Sequence, residues 1–196
     1  IPLAGATFAT AIYHVFMLFG LGVSYAITPL VAATKPADKK RRLIFLQNGL
    51  LVNTLLALMM SFITLILIPY LPFFGQDPLV TLAATNYLKI ISISLIPLMI
   101  FQTFRQFLEG QSNTLSPMIV SVLANLINVL LNYVLIYGHW GFFEMGLNGA
   151  GYATLISRIV MVILMMILTR EMWLGFSVNI DLKVINRLLR IGVPSG

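Results

Sequence analysis

The chain has 196 residues, of which 59% are hydrophobic and only 9% charged, with a formal net charge of +6. Soluble domains are nearer ~45–50% apolar and ~25% charged, and so few ionised groups cannot clothe a soluble surface of this size. A soluble globular fold is therefore excluded, and an all-α integral membrane protein is implied. Cysteine is absent, which removes disulfides, thiolate metal sites and cysteine nucleophiles. His14 and His139 stand far apart in sequence, without ligand spacing.

The first apolar run covers about 3–33, with no Asp, Glu, Lys or Arg from Ile1 to Thr34; crossing a bilayer takes ~20 residues. Gly20, Ser24 and Thr28 recur every fourth position, a small-residue face suited to close helix contact. His14 reads as a hydrogen-bonded packing residue ahead of a proton-responsive group. Next comes a basic stretch, with Lys35, Lys39, Lys40, Arg41 and Arg42. Beside two apolar runs it marks the cytoplasmic face and not a nucleic-acid site.

A second span, about 43–68, carries Gln47, Asn48 and Asn53 in its first half. It is expected to stop in IPYLPFFGQDP, which holds no cation. The third, about 79–104, has Lys89 within it and Pro97, which should kink it. Lys89 either snorkels to the outer interface or faces a polar interior.

The fourth and fifth spans, about 117–137 and 147–169, organise the rest. Ser121, Asn125, Asn128 and Asn132 are spaced to share one helix face. Gly146, Gly149, Ala150, Gly151 and Ala153 open the next span with small residues that permit close backbone approach. Such a pair is expected around a wet or ion-binding interior, although interhelical glue explains the asparagines equally well. Arg158 lies mid-span, where an interior carbonyl or carboxylate partner is expected.

Lys35, Lys39, Lys40, Arg41, Arg42, Arg105, Arg170, Lys183, Arg187 and Arg190 fall in loops on one side, and none of the 12 cations falls in the two loops opposite. Five spans thus alternate without conflict. The tail DLKVINRLLR (Asp181–Arg190) reads as an amphipathic cytoplasmic connector, with Leu182, Ile185 and Leu189 on one face and Asp181 as a cap. Residues 191–196 read as the start of another span, and the chain as a fragment.

The six carboxylates lie in loops or at span ends, so paired-carboxylate catalysis has no support. Phosphate-loop, nucleophile-elbow and zinc-helix patterns are absent from the sequence. An enzyme is not expected. Neutral amide, hydroxyl and carbonyl oxygens suit a hard cation but do not titrate near neutral pH.

FRQFLEGQSNTLSPM (Phe104–Met118), NLINVLLNYVLIYG (Asn125–Gly138), GLNGAGYATLISR (Gly146–Arg158) and LLRIGVPSG (Leu188–Gly196) resemble the multidrug and toxic compound extrusion (MATE) transporters. The resemblance implies a two-lobe, twelve-helix protein of the cell inner (plasma) membrane. This chain would supply helices two to six of the first lobe (1–170), a connector (171–190) and the start of helix seven. It implies efflux of cationic, drug-like compounds by antiport against sodium or protons. It also implies a cation-coupling site in which Asn128, Asn132 and Thr154 meet an acid on a helix one outside this sequence. Many members carry aspartate where Asn132 stands. Asn125, Lys89, Arg158 and His14 are candidate cavity-lining residues. The expected partners are the bilayer, drug-like cations, helix one and the C-terminal lobe. A sodium ion is the candidate bound ion, with no organic cofactor. A lipid-linked saccharide flippase of the same superfamily is the rival, favoured if Lys89 and Arg158 both face the cavity. A non-transporting scaffold would require the asparagine stripe to be fully packed.

Overall fold

A computed structural model describes residues 2–75, 77–173 and 179–192. Among these, five helical stretches are long and apolar enough to cross a membrane, and every regular element is helical.

The first stretch is α1 (Pro2–Tyr25) followed by α2 (Ile27–Ala32), broken at Ala26. Pro29 has no N–H for the Tyr25 carbonyl, so the helix steps at that point. The sequence reading had this span continuous. α3 (Lys39–Leu67) starts on Asp38, whose carboxylate accepts the Arg41 N–H at 3.0 Å. The α-helix ends as it reaches Pro69, as expected, but the chain does not leave helical geometry there. Ile68–Phe74 continues as a 3₁₀ turn through Pro72, ending at Gly75 with φ 72°. The fixed φ of proline suits a 3₁₀ turn, and the expected breakers tighten the helix instead.

The third stretch is α4 (Pro78–Ile93) and α5 (Leu95–Gly110), joined at Ser94. The kink expected from Pro97 is thus expressed three residues earlier, where the proline leaves the Ile93 carbonyl without its helical donor. α6 (Leu115–Tyr137) and α7 (Leu147–Leu168) follow, then α8 (Arg170–Trp173) and α9 (Leu182–Gly192).

α5 is central. Its Phe101, Phe104 and Phe107 are almost fully buried among residues of α2, α3 and α7, and Met99 is buried against Gly20 of α1. α1, α3 and α4 close a second cluster around Tyr13, Leu71, Leu88 and Leu95. α6 is peripheral: it packs chiefly on α7 and only lightly on α5. Its outward Leu126, Val129, Leu130 and Tyr133 are exposed, as lipid-facing positions are.

The small residues of α7 serve both neighbours. A Cβ at Gly149 would lie 2.6 Å from the Leu135 carbonyl oxygen of α6, and one at Gly151 would lie 3.1 Å from Ile90 of α4. Gly20, Ser24 and Thr28 also do what their spacing predicts. Gly20 admits Met99, Ser24 is buried, and the Thr28 hydroxyl donates to Gln106.

The connector is docked onto the bundle. Asn48 of α3 donates to the Asn179 carbonyl (3.0 Å) and accepts from the Asp181 N–H (2.9 Å), while Gln47 accepts from the Asn179 N–H (3.0 Å). Asp181 caps α9 by accepting the Lys183 N–H at 2.8 Å. The buried face differs from the expected one: Leu188 and Gly192 turn inward with Val184 and Ile185, whereas Leu182 and Leu189 remain exposed. Gly192 decides this, because a Cβ there would lie 2.7 Å from the Val23 backbone. Residues 174–178 of the connector and 193–196 of the expected next span lie outside the described residues; Ile191 and Gly192 belong to α9.

Candidate functional site

Asn125, Asn128 and Asn132 lie along one edge of α6, beside the seam with α7. Val120, Ala124 and Leu135, on the adjoining face, are buried, and Leu135 meets Gly149 of α7. Asn125 is exposed, and Asn128 and Asn132 are half-buried. The Asn132 side-chain amide donates to Asn128 Oδ1 at 3.0 Å. That bond uses one oxygen of the pair and leaves the other over, for Asn132 Oδ1 is buried with no partner among the described residues. Ser121, at the basic end, turns back to the Pro117 carbonyl of its own helix.

Thr154 is half-buried on α7, and its hydroxyl donates to the Ala150 carbonyl at 2.9 Å. Its oxygen lone pairs remain available as acceptors. Gly149 fixes α7 against Leu135. The antiparallel pair therefore brings Thr154 to a level near Leu130–Leu131, between Asn128 and Asn132 along the seam. Together these groups offer neutral oxygens and no fixed charge.

Arg158 has the interior position its depth predicts. It donates to Tyr13 Oη at 2.6 Å, Ser94 Oγ at 2.6 Å and, longer, the Ser94 carbonyl at 3.4 Å. Its guanidinium carbon lies 5.4 Å from the Tyr13 ring centroid, a cation–π contact. Hydroxyls and a kink carbonyl replace a carboxylate. The arginine thereby ties α7 to α1 and to the α4–α5 joint, where the proline-induced break exposes polar backbone. Tyr13 lies 145 positions away from Arg158, and no local pattern pairs the two.

Lys89 is exposed, in a shallow groove between α4 and α7 with Asn86, Asn148 and Tyr152. It does not join Arg158. His14 is exposed too, and a packing role is not what it has. The helix face that points inward at this level is that of its neighbour Tyr13, which is 2% exposed.

A family model described as MatE matches residues 1–134, taking in the asparagine stripe but not Thr154. A probable multidrug resistance protein NorM of Bacillus cereus is 31% identical over 212 residues, covering 100% of this chain and 45% of that protein. Multidrug resistance protein NorM of Photobacterium profundum is 28% identical, covering 98% and 44%. In fold, the chain is similar to a crystal structure of MATE in the bent conformation (TM-score 0.83, 21% identity, 99% of this chain and 44% of that one). It is also similar to the eukaryotic MATE transporter AtDTX14 (TM-score 0.81, 20% identity, 98% and 44%). The chain spans about half the length of the curated relatives it matches.

Proposed function

The chain belongs to the MatE family, and from that premise we propose that it forms most of the first lobe of a secondary multidrug efflux transporter of the plasma membrane. Drug-like cations leave as a coupling cation enters. The whole transporter needs a further helix and a second lobe, and the two lobes rock about a central cavity. The relatives named for multidrug resistance support the cargo class.

One observation carries the coupling site: Asn132 Oδ1, buried beside Asn128 and without a partner among the described residues. A polar group left unpaired in a membrane interior costs several kcal/mol, so such an oxygen is best explained by a cation or donor that it meets during the cycle. Asn128, Asn132 and Thr154 would contribute neutral oxygens to that cation. None of them can exchange a proton near neutral pH, and this favours sodium unless an acid outside this chain titrates.

The flippase reading gains if Lys89 and Arg158 face one cavity, but Arg158 is spent on Tyr13 and Ser94. Against the scaffold reading stands the exposure of Asn125.

The test is efflux of a fluorescent cationic dye from energised cells expressing the whole transporter, with sodium and proton gradients imposed separately. Asn132→Leu and Asn128→Leu are expected to reduce sodium-dependent efflux about tenfold, the equivalent of one lost charge-assisted contact. Unchanged ion dependence in both variants removes these residues from the site.

A further inference from the structure

A second set of unpartnered groups lies at the opposite end of the molecule, on the face that carries the basic residues. A pocket of about 310 Å³ opens where the N-terminus of α3, the C-terminus of α5, the end of α7 and α8 meet. Arg42, Gln111 and Lys39 supply its polar lining, with Leu43, Phe107 and Leu168 among its apolar walls. Arg42 is held at one end, where Nη2 donates to the Thr34 carbonyl at 3.1 Å. Its Nε is buried with no partner among the described residues, and so is Gln111 Nε2. Both orphans are donors. Lys39 adds a further positive charge, and Glu171, exposed at the rim, is the acid in the lining. Among the described residues no ion pair joins it to Arg42 or Lys39, and the salt bridge present is Arg105–Glu109.

Two buried donors with nothing to donate to require an acceptor. A guanidinium Nε–H and an amide N–H left over in one pocket match the oxygens of a phosphate in charge and hydrogen-bonding sense. The apolar walls then select among phosphate-bearing molecules, because Leu43, Phe107 and Leu168 suit an acyl-linked glycerol better than a hydrated inorganic ion. From this juxtaposition we propose that the pocket holds the phosphate of an anionic phospholipid in the adjacent leaflet. The lipid thereby clamps the basic ends of α3, α5 and α7 together. The site is separate from the asparagine edge and does not depend on the transport reading.

The whole transporter, purified in detergent, is titrated with phosphatidylglycerol, phosphatidylcholine or inorganic phosphate and read by native mass spectrometry and thermal unfolding. Phosphatidylglycerol is expected to bind about tenfold more tightly than phosphatidylcholine, and Arg42→Gln to remove that preference. Arg42 also supports the Thr34 carbonyl, so Gln111→Leu provides the second arm. It deletes an orphan donor, and without lipid it should leave the unfolding midpoint unchanged or raise it. With phosphatidylglycerol it should lose most of the lipid-induced rise. Glu171→Gln should tighten binding, and Lys183→Gln on α9 should leave it as it was. The proposal is overturned if Gln111→Leu keeps the full preference, or if Lys183→Gln weakens binding as much as Arg42→Gln does, which would indicate diffuse surface attraction. Inorganic phosphate that binds as tightly as the lipid also overturns it, in favour of a soluble anion.

Discussion

The interior of the bundle and the outer edge of α6 use the same kinds of side chain in opposite ways. Inside, neutral polar groups are mostly consumed by one another. Asn53 donates to Thr103 Oγ1 at 2.6 Å, and Thr103 passes its own hydrogen to the Met99 carbonyl. Ser61 donates to the Ser92 carbonyl across α3 and α4 at 2.6 Å. Gln102 Oε1 and Thr81 Oγ1 are the buried exceptions. Along α6, the Asn128–Asn132 pair makes one bond between its members and leaves an oxygen over. Polar residues in a membrane helix therefore divide by whether their bonds close locally. Closed sets hold helices together, and open ones are where a ligand has something to gain.

The sharpest way to break this division is to separate the two helices that define the edge. Gly149→Val places carbon atoms against the Leu135 carbonyl, backbone that cannot swing aside. Overpacking typically costs ~1–3 kcal/mol, and more when backbone must shift. Loss of monodisperse protein on size exclusion is expected, and a well-behaved variant would mean the seam is looser than described.

Next in size is Arg158→Met. It removes three donated contacts that bridge α7, α1 and the α4–α5 joint. Hydrogen bonds from a charged group are worth ~1.5–3 kcal/mol, so a clear fall in the unfolding midpoint is expected, with Arg158→Lys intermediate because one ammonium cannot reproduce the fork. An unchanged midpoint would show that the arginine is held for transport and not for assembly. Asn53→Ala should cost less, ~0.6–1.7 kcal/mol as for other interhelical bonds in membranes. Its transport should survive in proportion to folded protein. Asn132→Leu should behave the other way round, keeping stability and losing ion dependence.

Much of this was legible in the chain. Hydropathy located all five spans, and the 3.6-residue period placed Asn125, Asn128 and Asn132 on one edge. Proline marked the break at Ser94, although it acts on the carbonyl four residues before it and so displaces the kink from Pro97. Pro69 marks the end of α3 but not the 3₁₀ turn that runs on through Pro72, because a helix stop and a 3₁₀ continuation ask for the same φ. The inward face of α9 was misjudged because Leu182 and Leu189 are as apolar as Ile185 and Leu188. Only the close approach of Gly192 to Val23, a tertiary fact, separates them. The partners of Arg158 and the open oxygen of Asn132 also depend on which helices meet, and no local pattern encodes that.

The smallest expected effect tests the comparison most finely. Asn125 continues the stripe but is exposed. If the edge of α6 is an open, solvated surface in the assembled transporter, Asn125→Ala should change stability by no more than about 0.5 kcal/mol, as for most surface substitutions. A loss as large as that of Asn53→Ala would mean that the remainder of the polypeptide closes over the stripe and completes its bonds. The asparagines of α6 would then belong with the closed interior set, and the case for a cation at Asn132 would rest on family membership alone.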